Sequence, residues 1–324
     1  MLVRAFRKNY FNQYLLIFIL SIFLWVGTFI SPEPIKSVSS SSFLYGYICN
    51  LLLPYPLLSS ILAYVIVVFQ GLFFNMLLVK HKLISNKTFL PMFVYIFVLS
   101  LSAQTITPAL LADVFILLAL NNLLDCENIS RSQHKIFNAS AMVSIATFFH
   151  SLSVFYLIFI IAVIAIYKIY YWREWFTVIL GYAFPQIIVL LWYFLTDTSM
   201  NFMDLSLIDV FTFSFAFDFS DWKAVFFGLL LLLIFLVSMG VYLLNIMENM
   251  ILYRKKSTII ACILLVAFVI SLFVEVFPLQ MQFYAIPFSF FIASYLLRHK
   301  NNEIIGDIIL IMFISVVFCN VYLV

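Results

Sequence analysis

Charge is what this chain has least of. Its 324 residues include 17 Lys and Arg and 14 Asp and Glu, together 10%, against 66% hydrophobic residues. Too little polar surface remains to wrap a soluble fold, so lipid must cover much of the exterior. Histidine is also scarce, four in all with no cluster, which excludes histidine-bound metal chemistry. The four cysteines, Cys49, Cys126, Cys262 and Cys319, form no C-x-x-C pair, so neither a disulfide framework nor a zinc site is expected, and they read as small buried hydrophobes. Seven glycines are few for a protein that slides helices past one another, which counts against an alternating-access transporter. Also missing are a duplicated half, a G-x-x-x-x-G-K phosphate loop, an acid–histidine proton relay and an arginine ladder for voltage sensing.

What is present is a series of apolar runs near twenty residues long, from Leu15 to Val324. Each is long enough for a helix to cross roughly 30 Å of hydrocarbon. Helices satisfy their own backbone hydrogen bonds in lipid, whereas a β-barrel would show repeated ten-residue alternation, which is absent. The first run follows Arg4, Arg7 and Lys8 but leads into Ser31, Pro32, Glu33 and Pro34, with no small-residue cleavage site, and reads as a retained span.

Spans drawn at about 14–31, 57–79, 88–103, 107–123, 136–150, 152–167, 175–196, 224–247, 257–275, 281–297 and 304–323 place the basic residues in alternate loops. One face receives Arg4, Arg7, Lys8, Lys80, Lys82, Lys87, Arg131, Lys135, Lys168, Arg173, Arg254, Lys255, Lys256, Arg298 and Lys300. Only Lys36 and Lys223 remain for the other, where Glu33, Asp197, Asp204, Asp209, Asp218 and Asp221 collect. By the positive-inside rule this is an all-α polytopic transmembrane bundle of about eleven spans, N-terminus cytoplasmic and C-terminus external. It forms one integral-membrane domain over 1–324, with external loops at about 32–56 and 197–222. The net charge of +3 follows from membrane orientation and indicates no nucleic-acid partner.

Two regions are too long for one span and too short for two full ones. Residues 136–167 lie between Lys135 and Lys168, and 88–123 lie between Lys87 and the 125–135 loop. Basic flanks on both sides return the chain to the face it left, so each region predicts a short hairpin with its tip below the outer membrane surface. Irregular backbone at that depth must be buried in protein or line a wet cavity, which points to an outward-facing cavity.

Several segments break the pattern. Phe43 to Leu53 reads as a short interfacial helix within the first external stretch. Phe211, Phe213, Phe215, Phe217 and Phe219 alternate with smaller residues, a period-two strand signature with one aromatic face. That segment either lies on the membrane surface or docks as a lid or partner-binding strand. Pro185 and Pro287 fall inside spans and should kink them, while Pro91 and Pro108 occupy harmless first turns. Trp172, Trp175 and Trp222 suit interfacial anchors.

Asp113 is the one carboxylate deep within a predicted span, where an ionised acid costs on the order of 3 kcal/mol on insertion scales. It serves either as an interhelical bond or as a cavity group. Gln104 ends the third span, His150 the fifth, and Glu275 the ninth. Gln104, Asp113, His150 and Glu275 are therefore the expected cavity-lining residues, with Glu33 above them. No metal site is expected, and no cofactor is indicated.

Leu90-Pro91, Thr107-Pro108 and Arg173-Glu174-Trp175 followed by Gly181 and Pro185 give the stretch from Phe89 to Gln186 a recognisable pattern. It resembles a bacterial family of multi-spanning membrane proteins of unknown function, some of which carry a mistaken carotene monooxygenase name. The resemblance implies an inner-membrane protein. The chain is also distantly similar to the C-type lipid-linked-sugar glycosyltransferases in its cytoplasmic N-terminus, first external loop and short paired helices. That likeness implies a general base at Glu33 and a polyprenyl-linked glycan as partner. Against it, the loop holds one acid instead of two and lacks an external arginine clamp for a lipid phosphate. Three functions follow: a cell-envelope protein that binds or transfers a lipid-linked glycan, a non-catalytic subunit whose Phe-rich segment docks an envelope or secretion complex, and a small-solute transporter using Asp113 and His150.

Overall fold

The computed structural model describes residues 10–35, 43–84, 88–102, 104–127, 132–169, 171–196, 222–245, 250–273, 277–298 and 303–323, and every regular element among them is helical. The helices are α1 (Tyr10–Ile30), α2 (Phe43–Leu52), α3 (Pro56–Lys80), α4 (Leu90–Ser100), α5 (Pro108–Leu124), α6 (Ser132–Thr147), a 3₁₀ turn (Ser151–Phe155), α7 (Tyr156–Tyr167), α8 (Trp172–Leu195), α9 (Trp222–Asn245), α10 (Ile251–Ser271), α11 (Phe277–Arg298) and α12 (Glu303–Leu323). Each segment drawn as a span coincides with a helix to within a few residues, and the predicted short helix appears as α2. The Phe211 to Phe219 segment, Glu275 and Lys36 lie outside the described residues.

Among the described residues, Gln13–Ile30, Pro56–Lys80 and Trp172–Trp192 are long and apolar enough to cross a bilayer, with mean hydropathies of 2.1, 2.2 and 1.7. Leu90–Ser100 and Pro108–Leu124 are apolar but shorter. Short helices occupy both awkward regions: α6 packs on α7, whereas α4 and α5 each pack on α3.

Local sequence explains the boundaries. Pro108 sits at the start of α5 behind Thr107, whose Oγ1 accepts from Leu110 N–H at 3.2 Å. At the end of α7, Lys168 turns left-handed (φ 60°), and Ile169 N–H closes back on Ile164 O at 3.1 Å. Lys82 does the same after α3 (φ 56°), with Leu83 N–H on Leu78 O at 3.0 Å. Pro185 and Pro287 lie inside continuous helices.

The core centres on α4, all eleven of whose residues are buried. It packs mainly on α11 and α3 and touches α1 and α12. Phe97 meets Phe313 of α12, Tyr95 stacks on Phe74 of α3 at 5.3 Å, and Trp25 of α1 donates from Nε1 to Ser100 Oγ at 3.0 Å. On the opposite flank α5, α6 and α8 form a layer, with α7 against α10 and α9 between α11 and α12.

The motif residues of α8 line its seam with α6. Glu174 Oε1 accepts from Ser132 Oγ at 2.8 Å, and Gln186 Nε2 donates to Thr147 Oγ1 at 3.0 Å. Between them Gly181 lies so close to α6 that a Cβ would meet Ser140 Oγ and come within 2.7 Å of Phe137 O. The opposite side of α8 is bare, with Trp192 65% and Leu195 78% exposed.

One end of the bundle gathers charge. Asp125, just after α5, bonds Lys80 Nζ at 2.8 Å and Lys135 Nζ at 3.3 Å, and lies 3.7 Å from His81 Nε2. Glu127 pairs with Lys256, whose Nζ also donates to His81 O at 3.4 Å. Loops or ends from α3, α5, α6 and α10 thus meet through two acids. Three of the alternate basic loops assigned to one face by charge contribute to this cluster.

Candidate functional site

The other end of the bundle brings the two hairpin tips together under α2. Leu44 N–H donates to Phe148 O at 3.1 Å, and Tyr45 OH donates to Ile106 O at 3.1 Å. Tyr45, Cys49 and Leu52, spaced i, i+4 and i+7, form the buried face of α2, while Tyr47 and Leu51 point outward. Ser59 Oγ of α3 accepts from Ile106 N–H at 3.4 Å. The irregular tip backbone at Ile106 and Phe148 is therefore bonded to protein.

Both tips also reach α11. Thr107 Oγ1 donates to Gln282 Oε1 at 3.0 Å, and the His150 ring packs on Phe283 at 5.3 Å between centroids. Below these contacts lies a ring of polar side chains. Gln70 of α3 donates to Leu110 O at 2.7 Å and accepts from Tyr95 OH at 3.3 Å. Asp113 acts electrostatically on both Tyr95 and Tyr156, and Tyr156 in turn feels Tyr284, whose hydroxyl is 2.9 Å from Ser271 Oγ. Six helices, α3, α4, α5, α7, α10 and α11, contribute to the ring.

The ring is under-satisfied. Asp113 Oδ2, Tyr156 OH, Gln282 Nε2, His150 Nδ1 and Ser153 Oγ are shielded and have no hydrogen-bond partner. Asp113, Tyr156, Ser153 and Gln282 are at most 3% exposed, whereas His150 is half-buried with Nδ1 turned inward. Each orphaned polar atom costs roughly 1–3 kcal/mol, and Asn75 Oδ1, Thr88 Oγ1, Ser144 Oγ and Glu174 Oε2 are likewise unpartnered.

Of the residues expected from sequence, Asp113 and His150 fall in this region from two different hairpins. Gln104 is half-buried on the first tip, three residues before Thr107. Glu33 is exposed beyond α1. Sequence reasoning missed Tyr95 and Tyr156 and did not assign Thr107 or Gln282 to the cavity. Tyrosines inside apolar runs read as core, and only the pairing of helices far apart in the chain reveals them. Among the described residues no group of three His, Cys, Asp or Glu side chains is arranged to hold a metal.

Beside the ring, Phe155 and Ile158 of α7 and Leu265, Val266 and Val269 of α10 line an apolar crevice of about 80 Å³. Comparison with protein-family models, with curated proteins and with solved structures gives no match.

Proposed function

We propose that this chain is a multi-pass protein of the bacterial cytoplasmic membrane that holds the head of a lipid-linked glycan in the polar ring beneath α2. The observation that carries the reading is the convergence of two hairpin tips and α11 around buried polar atoms that have no protein partner. An amphiphile fits such a place, because its head can complete those bonds while its tail remains in lipid. Membrane residence is supported by the bare apolar side of α8, and the assigned orientation by the cluster of Lys80, Lys135 and Lys256 at the far end. In this reading the eleven helical segments lie in the bilayer, the short ones ending below its outer surface, with the ring toward the outside.

Glu33 is exposed, and nothing among the described contacts ties it to the ring, so the reading is one of glycan binding and handling. Native mass spectrometry of the protein released from mild detergent tests it. A retained polyprenyl-linked glycan supports the proposal. A stoichiometric protein partner without lipid retires it in favour of a subunit of an envelope complex. Orientation is tested separately by labelling Tyr47→Cys and Lys135→Cys in intact cells, where an impermeant reagent should reach only the first.

A further inference from the structure

We infer that the ring recognises the neutral, hydroxyl-rich sugar of its ligand and excludes the phosphate of the lipid carrier. The inference rests on the membrane glycan reading above and names the part of the ligand that enters. The chemistry of the unpaired atoms carries it. Gln282 Nε2 can only donate, a carboxylate oxygen of Asp113 accepts, and the Tyr156 and Ser153 hydroxyls do either. A partner that met them would have to offer both donors and acceptors, which is the property of a sugar's hydroxyl groups. The Phe283 ring against His150 adds an apolar surface of the kind that sugar C–H faces cover.

A phosphate needs the opposite. Anions are held by Arg or Lys forks or by stacked backbone N–H groups. Among the described residues every Lys and Arg except Lys223, in the first turn of α9, lies toward the other end of the bundle. Asp113 is twelve residues from Asp125, the acid that binds Lys80 and Lys135, and Tyr156 is twelve residues from Lys168; at 1.5 Å per residue each separation is about 18 Å. A phosphate placed in the ring would find no cationic side chain among the unpaired groups to offset the loss of its water. The carrier phosphate thus stays outside the ring, toward the membrane surface.

The test uses the full chain in a sugar-free detergent and three probes. These are a short prenyl diphosphate bearing one N-acetylhexosamine, the same prenyl diphosphate without sugar, and monomeric octyl glucoside. The glycosylated probe should bind, octyl glucoside should displace it, and the sugarless diphosphate should fail to do so in excess. Tyr156→Phe should weaken binding by about tenfold or more while the melting midpoint holds or rises, and Gln282→Leu should weaken it as much with a modestly lower midpoint from the lost Thr107 bond. Equal displacement by the sugarless diphosphate overturns the inference and leaves the glycan reading standing. Unchanged binding in Tyr156→Phe and Gln282→Leu proteins that remain folded also overturns it. Failure of the glycosylated probe to bind at all removes both.

Discussion

The backbone N–H of Leu44 bonds the carbonyl of Phe148 at 3.1 Å, joining the first residues of α2 to the tip of a hairpin a hundred positions away. With Tyr45 on Ile106 O, the same short helix also secures the other tip. Tyr45 is nearly fully buried, so Tyr45→Phe should lose about 1 kcal/mol through its hydroxyl bond, and Tyr45→Ala about 3–5 kcal/mol through the cavity left behind. Thermal melts in detergent measure both. Equal, negligible losses would show that α2 rests on the tips without fastening them.

Gly181 marks the closest approach of α8 to α6. Gly181→Ala drives a methyl group against Phe137 O and Ser140 Oγ, and backbone cannot yield as a flexible side chain does. A loss of about 1–3 kcal/mol is expected. Gly240→Ala, where nothing lies within 4 Å, is the control and should not destabilise. A matching drop in both melting midpoints would contradict the seam.

Acid should loosen the charged end in two stages. Burial holds the His81 imidazole below its ordinary value, against the pull of Asn121. The folded protein therefore keeps it neutral where the unfolded chain would protonate it, and its stabilisation, complete above about pH 6.5, declines as pH falls toward the folded value. Burial pushes the Asp125 carboxyl up, but the Lys80 bond, the Lys80 and His81 charges and the Lys135 bond outweigh it and hold Asp125 below the usual carboxylate range. Its contribution is complete well above about pH 4 and disappears as pH drops through the folded value. Melting midpoints between pH 3 and 8 should show both declines. Asp125→Asn should abolish the lower one, and its persistence in that variant would assign the acid sensitivity elsewhere.

Lys168 occupies a left-handed position that glycine adopts freely. Lys168→Gly should raise stability by about 1 kcal/mol, read as a higher melting midpoint at high salt, where loss of the charge matters least. A lower midpoint would mean that the lysine stem makes packing worth more than the strain.

Asp113→Leu should separate stability from function. Removing a buried carboxyl with an unpaired oxygen relieves roughly 1–3 kcal/mol of unmet bonding, yet it deletes an acceptor from the ring. The variant is expected to melt higher and to retain no glycan. Full retention would remove Asp113 from the site.

Helix positions were legible in the sequence because hydropathy and charge are local properties. The short hairpins could be read from Lys135 and Lys168 flanking a stretch of awkward length. What could not be read is how each helix is turned. An amphipathic helix declares its inner face, but Leu-Pro-Met-Phe-Val-Tyr-Ile-Phe-Val-Leu-Ser of α4 is buried all round and declares none. Nothing local tells that Tyr95 faces Gln70, or that Thr107 meets Gln282 across 175 positions. Asp113 and His150 stood out because ionisable groups are rare in apolar runs. Asp125 and Glu127 read as ordinary loop acids, and only the folded arrangement makes them the hub for Lys80, Lys135 and Lys256.

The enclosure of α4 bears on how the chain is made. Eleven residues rise about 16 Å, roughly half the hydrocarbon thickness, so on leaving the ribosome α4 can neither span lipid by itself nor shelter against helices not yet synthesised. Its main neighbour, α11, emerges some 180 residues later. Until then only α1 and α3 among its neighbours have been made, so the centre of the finished protein is the last part to be enclosed.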